Sequence, residues 1–321
     1  MIALDDIRRS FKGRIALAEP LARYTTFRIG GPADIYLEPL DRDDALSLIR
    51  YLRRESIPFF PMGNGSNLLI SDEGVRGAVV NLEVGFNYLD MTTEGVITAG
   101  AGVKLAKFVD FCITRGRQGV EMLAGIPGTL GGAVIMNAGA YGGEISDYML
   151  SVELIRGDRL LRISRDQGGF AYRTSGLQGD LILEASFVFP EGRTDSMKTF
   201  RRETMLKRNS SQPVQWPNAG SIFKNPPGHY AAKLIQECGL KGRRIGNAEI
   251  SELHANFIIN RGGASANDVL MLAEIARGTV KKKFGIDLEL EIKLVGFEED
   301  VASRLRDEVE GRKSTVSDRD D

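Results

Sequence analysis

From Asp44 onward, Ala45, Leu48, Ile49 and Leu52 recur at i, i+3, i+4 and i+7 among charged neighbours, the spacing of one face of an α-helix. The run IPFFPM (57–62) then reads as a strand, and Gly63-Asn64-Gly65-Ser66-Asn67 is too rich in turn formers to extend it. VRGAVVNL (75–82) and VITAGAG (96–102) read as further strands, and Leu105, Phe108, Val109 and Cys112 mark the face of a second helix. Strands alternating with helices predict an α/β class.

Glycine crowds the segment Gly125–Ile145, GIPGTLGGAVIMNAGAYGGEI. Each interior glycine costs about 1 kcal/mol relative to alanine, so neither an ordinary helix nor a central strand is expected there. The pattern loosens at Pro190–Thr194, which marks a domain boundary. Beyond it, Ala231, Leu234, Ile235 and Cys238 share one helical face, and Val269, Leu272, Ala273, Ala276 and Val280 share another. Ser265 and Asp268 open that last helix as a capping box, and Gly285 stops it. Leu288, Leu290, Ile292 and Leu294 alternate with Glu289, Glu291, Lys293 and Val295, which predicts a strand carrying both glutamates on its outer face. From Glu298 the residues are mostly charged, and a flexible tail is expected.

Lys and Arg number 42 against 43 Asp and Glu, so no global basic field recruits nucleic acid or an anionic membrane. A phosphate-bearing ligand must therefore be held by local groups. The first residues do not read as a secretory signal, and no run approaches the roughly 18 apolar residues of a membrane span. Cys112 and Cys238 are far apart, with no CxxC, and suit a reducing compartment. His229 and His254 are the only histidines, which excludes a multi-histidine metal site and leaves few candidates for a Ser-His-Asp hydrolase. If the chain is an enzyme, its chemistry rests on a cofactor.

The two glycine-rich stretches are the candidate ligand loops, because successive backbone N–H groups in such turns make anion-binding nests. For Gly63–Asn67 alone, a plain turn and a ligand loop are equally good readings; the longer stretch favours a ligand. Gly100-Ala101-Gly102 lacks the third glycine of a dinucleotide fingerprint, since position 105 is Leu, and no P-loop motif is present. Asn218–Pro226, NAGSIFKNP, puts Ser221, Lys224 and Asn225 close to a glycine turn. A capped turn is the commoner meaning of such a sequence. By themselves Arg173 and Glu291 read as surface charges, His254 as a packing residue and Cys238 as core. The residues alone describe an α/β protein that binds a phosphorylated ligand or dinucleotide.

Taken in order, YTTFRIGGPAD, PMGNGSNLLI, AGIPGTLGGAVIMNAGAYGGEI, FAYRTSGL, NAGSIFKNP, LKGRRIGNAEISELHANFIIN and LELEIKLVG resemble the successive motifs of the UDP-N-acetylenolpyruvoylglucosamine reductases, in their shorter, second type. The resemblance runs from Tyr24 to Gly296. It implies an α/β (α+β) protein with a vanillyl-alcohol-oxidase type FAD-binding region at 24–190, made of subdomains 24–82 and 83–190. A substrate-binding α+β domain at 196–297 follows, with an N-terminal segment 1–23 packed on the FAD region and a tail from 298 to 321. FAD, held non-covalently, would contact Arg28, Ile29, Gly30, Gly31, Gly63, Asn64, Gly65, Ser66, Asn67, Leu68, Gly125, Pro127, Gly128, Thr129, Gly132, Ala133, Asn137, Gly139 and Ala140. Gly139 is expected to allow close approach of the backbone to the cofactor. The catalytic positions would be Arg173, Ser221 and Glu291, with Lys224 and Asn225 on the UDP part of the substrate.

The implied activity is reduction of UDP-N-acetylglucosamine enolpyruvate by NADPH through FAD, in the cytoplasm, for peptidoglycan synthesis, by a monomer without nucleic-acid or membrane partners. Two departures stand out. Asn64 replaces a common glycine, a change that asparagine's tolerance of left-handed backbone would accommodate, and Lys293 stands where arginine is common, which would alter a bidentate contact. The alternatives are a flavin oxidase of the same superfamily, which often tethers flavin through Cys or His, and a non-catalytic nucleotide-sugar binding protein. Neither Cys112 nor any histidine lies in the glycine-rich stretches, and retention of Arg173, Ser221 and Glu291 together argues against loss of catalysis.

Overall fold

The structure, a computed structural model, describes residue 7 and residues 11–298, so the charged tail from 299 onward lies outside it. Strands β1 (Arg14–Pro20) and β2 (Pro32–Glu38) pair antiparallel, followed by α1 (Arg42–Arg54), β3 (Phe59–Met62), β4 (Leu68–Ile70) and β5 (Val75–Asn81). They build a first sheet of order β1-β2-β5-β3, with β5 parallel to both neighbours. Helix α1 forms where the periodicity predicts it. The Asp41 carboxylate accepts from Asp44 N at 2.8 Å, and Ala45, Leu48, Ile49 and Leu52 are buried. Alternation along the strands feeds two cores: Ile35, Leu37, Ala78 and Val80 enter one, and Tyr36 and Val79 the other. Ile7 and Phe11 are buried in the first of these.

After β6 (Leu89–Met91), β7 (Val96–Gly100) and α2 (Leu105–Thr114) comes a helix that the glycine content argued against, α3 (Leu130–Ile135). Tertiary packing overrides propensity here. Gly131 and Leu130 donate their N–H groups to Ala101 O and Val103 O at 2.9 and 2.8 Å, and a Cβ on Gly131 would lie 3.0 Å from the Cβ of Ala101. The hairpin β8 (Gly139–Ala140) and β9 (Gly143–Glu144) then leads to β10 (Met149–Arg156), β11 (Arg159–Ser164) and β12 (Leu181–Val188), which complete an antiparallel second sheet of order β11-β10-β12-β7-β6.

That sheet is fastened to α1 by charge. Glu153 and Glu184 stand directly opposite on β10 and β12, both buried, an arrangement that repulsion would destabilise without counter-charges. Arg162 Nη2 donates to both at 3.1 and 3.2 Å, the Tyr88 hydroxyl donates to Glu184 at 2.8 Å, and Arg42 of α1 ion-pairs with Glu153.

Helix α4 (Thr194–Ser211) leads into the last third, with α5 (Ala231–Glu237), the antiparallel β13 (Arg244–Ile245), β14 (Ala248–Ile250) and β15 (Ile258–Asn260), α6 (Ala266–Phe284) and β16 (Lys293–Val295). Helix α6 has the expected reciprocal cap between Ser265 and Asp268 and ends at Gly285, whose φ is 70°. The continuous strand expected over 288–295 does not form. Leu290 makes a single antiparallel bridge with Phe223, whereas β16 pairs parallel with β4 of the first sheet. Two different neighbours compete for this segment, and each takes part of it. The last third is also tied back by Asp72, whose carboxylate oxygens both accept from Ala266 N at 2.9 Å at the start of α6. Among the described residues no helix is long and apolar enough to cross a membrane.

Asp72→Ala removes this long-range cap but leaves the Ser265–Asp268 box. It should cost about 1 kcal/mol of stability, measured as a lower denaturant midpoint at unchanged slope.

Candidate active site

A cavity of about 920 Å³ opens where both sheets and the last third meet, at the upper end of the roughly 300–1,000 Å³ usual for ligand sites. Both glycine-rich stretches line it. Of the expected cofactor contacts, Arg28, Gly63, Asn64, Gly65, Ser66, Asn67, Leu68, Gly125, Pro127, Gly128, Thr129, Gly132, Ala133, Gly139 and Ala140 are on its wall. Ile29, Gly30, Gly31 and Asn137 are not. Ile29 is in the apolar core of the last third, and a Cβ on Gly31 would sit 2.1 Å from Asp72 O, so these residues shape the loop that presents Arg28.

Close packing explains several glycines without reference to a ligand. A Cβ on Gly63 would meet Thr129 Oγ1 at 2.2 Å, so the two loops touch only because that side chain is missing. Gly139 faces its hairpin partner, with Gly143 O 2.4 Å from an added Cβ, so packing within the β8–β9 hairpin by itself requires glycine there. The left-handed residue in the first loop is Gly65, at φ 55°, so Asn64 needs no special tolerance.

Arg173 and Glu291, separated by 118 positions, meet at the cavity: Nε of the arginine donates to Oε1 of the glutamate at 3.2 Å. Neither is a free surface charge, since their side chains are only 21% and 22% exposed. Arg173 occupies a left-handed backbone position, φ 57°, in a tight turn closed by reciprocal hydrogen bonds between Ala171 and Thr174. Asn137, fully buried, holds that turn, donating from Nδ2 to Ala171 O at 3.1 Å and to Glu144 Oε2 at 2.6 Å. Burial raises the Glu291 carboxyl above the ordinary glutamate value of 4.5, with Arg173 and Lys224 pulling the other way.

Ser221 lines the same cavity and its hydroxyl makes no hydrogen bond to a described residue. Its loop is clamped from both sides. Buried Asn256 accepts from Phe223 N at 3.0 Å through Oδ1 and donates to Phe223 O at 2.8 Å, and the Thr26 hydroxyl donates to Asn218 O at 2.7 Å. Lys224 and Asn225 lie outside the lining residues. Lys224 ion-pairs with Glu289, and the Asn225 carboxamide oxygen accepts from Ala231 N at 3.0 Å. His254 packs edge-on against Phe257 with ring centres 4.8 Å apart, as a packing residue does, although its buried Nδ1 lacks a described partner.

Sequence reasoning missed Arg208 on α4. It lines the cavity, donates from Nε to Gln212 Oε1 at 3.0 Å, and has no carboxylate partner among the described residues. Burial lowers its affinity for the proton, as expected of a cation partly shielded from water. With Arg28, likewise without a described carboxylate partner, it gives the cavity two cations suited to phosphate. Polar neighbours in sequence hide this role; only burial without a counter-ion reveals it.

The wall fits a flavin dinucleotide: two glycine-rich loops, two uncompensated cations, and Gly132 of α3, whose added Cβ would meet nothing nearer than Thr129 Oγ1 at 3.7 Å. No group of His, Cys, Asp and Glu among the described residues could hold a metal ion. This sheet arrangement and cavity belong to the FAD-binding flavoproteins, and a model of the FAD binding domain matches residues 33–159. Residues 212–295 match the C-terminal domain of UDP-N-acetylenolpyruvoylglucosamine reductase. Enzymes of that name from Chloroherpeton thalassium and Caldanaerobacter subterraneus subsp. tengcongensis are both 44% identical to this chain, over 94% and 92% of it and 99% and 98% of their own lengths. The crystal structure of the Thermus caldophilus reductase superposes with a TM-score of 0.76 at 36% identity, covering 88% of this chain and 99% of that one. The chain belongs to the UDP-N-acetylenolpyruvoylglucosamine reductase family.

Filling the cavity tests its assignment to flavin. Gly132→Ala should retain FAD and hold or raise stability, by about 0.5–1 kcal/mol, because it removes a glycine from a helix interior. Gly132→Leu should keep the fold by circular dichroism but lose FAD on gel filtration; stoichiometric flavin in that variant would place the cofactor elsewhere.

Proposed function

We propose that the chain reduces UDP-N-acetylglucosamine enolpyruvate to UDP-N-acetylmuramate with NADPH, a cytoplasmic step in peptidoglycan synthesis. Residues 24–190 would hold FAD and residues 196–297 the UDP-sugar. The observation that carries this reading is that Arg173 and Glu291 meet at a cavity that the unengaged Ser221 also lines. No cysteine or histidine is among the described lining residues, which disfavours an oxidase with tethered flavin.

FAD, when bound, supplies the hydride chemistry, relaying two electrons from NADPH to the enolpyruvyl methylene carbon. The chain's own residues handle the charge and the proton. Hydride arrival leaves negative charge on the neighbouring carbon and on the attached carboxylate. Arg173, always charged, would stabilise that oxyanion, and Glu291, whose burial favours its protonated form, can donate a hydrogen bond to it. Ser221 would deliver its hydroxyl proton to the neighbouring carbon and recover one from solvent. A hydroxyl is a weak acid, but a carbanionic carbon in a desolvated site is basic enough to take its proton. Arg28 and Arg208 would meet phosphates of the bound nucleotides.

Only the second half-reaction needs a proton donor, so the two halves should separate. In anaerobic stopped-flow, Ser221→Ala should reduce flavin with NADPH near the native rate, whereas reoxidation by the enolpyruvyl substrate should fall by about 10²- to 10⁴-fold. Glu291→Gln should share the asymmetry. The native reoxidation rate should also decline as pH rises through the raised value of Glu291, and Glu291→Gln should flatten that limb. Equal slowing of both phases by Ser221→Ala would make the serine structural.

A further inference from the structure

We propose that Asn67, a residue of the first glycine-rich loop, is a positioning residue for Glu291. Its carboxamide Nδ2 donates to the Glu291 carbonyl at 3.0 Å, and its own carbonyl accepts from Lys293 N at 2.9 Å. Asn67 thus brackets Glu291 along the backbone, while Glu291 N donates to Ile222 O at 2.8 Å on the other side. The bracket falls where the chain most needs one. Leu290 is bridged to Phe223 and β16 begins at Lys293, so Glu291 and Ile292 cross between two partners without a regular ladder.

No other described donor reaches the Glu291 carbonyl. Removing the Asn67 carboxamide therefore loosens the backbone that aims the Glu291 carboxyl at Arg173, 3.2 Å away. A short polar residue in such a loop would ordinarily be read as a cofactor contact alone, but here one of its two amide N–H groups is committed within the protein. Aspartate cannot replace it, because a carboxylate has no N–H and would face a carbonyl oxygen. The loop that lines the flavin cavity would thereby also set the geometry of the substrate half-reaction.

This inference rests on the reading of Glu291 above, and a double-mutant design keeps the two apart. Asn67 also lines the flavin cavity, so Asn67→Ala is compared with the native full-length enzyme at FAD concentrations that keep both loaded, followed by flavin fluorescence, and the rate of reduction by NADPH is the reference for any general effect on the flavin. Reoxidation by the enolpyruvyl substrate should slow about tenfold or more beyond that reference, as misplacement of a catalytic group does, with its pH limb displaced. In the Glu291→Gln background the same change should add less than about twofold, the mark of residues acting through one another. Asn67→Asp, equal in size, carries the same test should Asn67→Ala prove unstable. Equal slowing of both phases in the loaded enzyme, or an undiminished effect in the Glu291→Gln background, would overturn the proposal. Should Glu291→Gln alone leave reoxidation unchanged, the role of Glu291 fails first and the proposal with it.

Discussion

The exchange of hydrogen-bond partners between Glu289 and Val295 is the constraint on which the site depends. Lys224 N donates to Glu289 O and Glu291 N to Ile222 O, both at 2.8 Å, which binds the segment to the Ser221 loop. Two residues later Lys293 N donates to Asn67 O, and β16 lies against β4 in the first sheet. A backbone that satisfied all its polar groups with a single neighbour would place Glu291 deep in one ladder or the other. Divided between two, it brings the Ser221 loop and the Asn67 loop to the backbone of one residue, Glu291.

Strain and charge are concentrated at the same place. Of the described non-glycine residues with positive φ, Arg28, Tyr141 and Arg173 line the cavity. A left-handed position costs an ordinary residue about 1–2 kcal/mol and persists only where the surroundings over-determine it. For Arg173 the surroundings are the Ala171–Thr174 bonds and buried Asn137. The turn thrusts the guanidinium toward Glu291, whose burial opposes ionisation even beside that cation. An arginine that is always charged next to a carboxyl inclined to keep its proton makes a donor surface for an oxyanion.

The body of the protein supports this arrangement without taking part in it. Arg42 and Arg162 counter the charge of the facing glutamates of β10 and β12, with a hydrogen bond from Tyr88, and so lock α1 onto the second sheet. Asp72 does the same between the loop after β4 and the start of α6. The cavity thus lies between units whose relative positions are held by specific polar contacts as well as by apolar burial.

Local periodicity was enough to locate α1, α2 and α6, because each carries its apolar residues at helical spacing and, in α6, a cap written in adjacent residues. It could not find α4, where only Met197 and Thr204 are buried and no apolar stripe exists to be read. Nor could it foresee α3, where Ala101 lies against Gly131. The motifs named Arg173, Ser221 and Glu291 as residues worth watching, and glycine clustering located both cavity loops. What the sequence could not contain was the contact between positions 173 and 291, the internal hydrogen bonds of the Asn67 and Asn137 carboxamides, or the missing counter-ion of Arg208. Each of these depends on which distant backbone group comes within about 3 Å, the reach of a hydrogen bond, and that distance is decided only when the sheets pack.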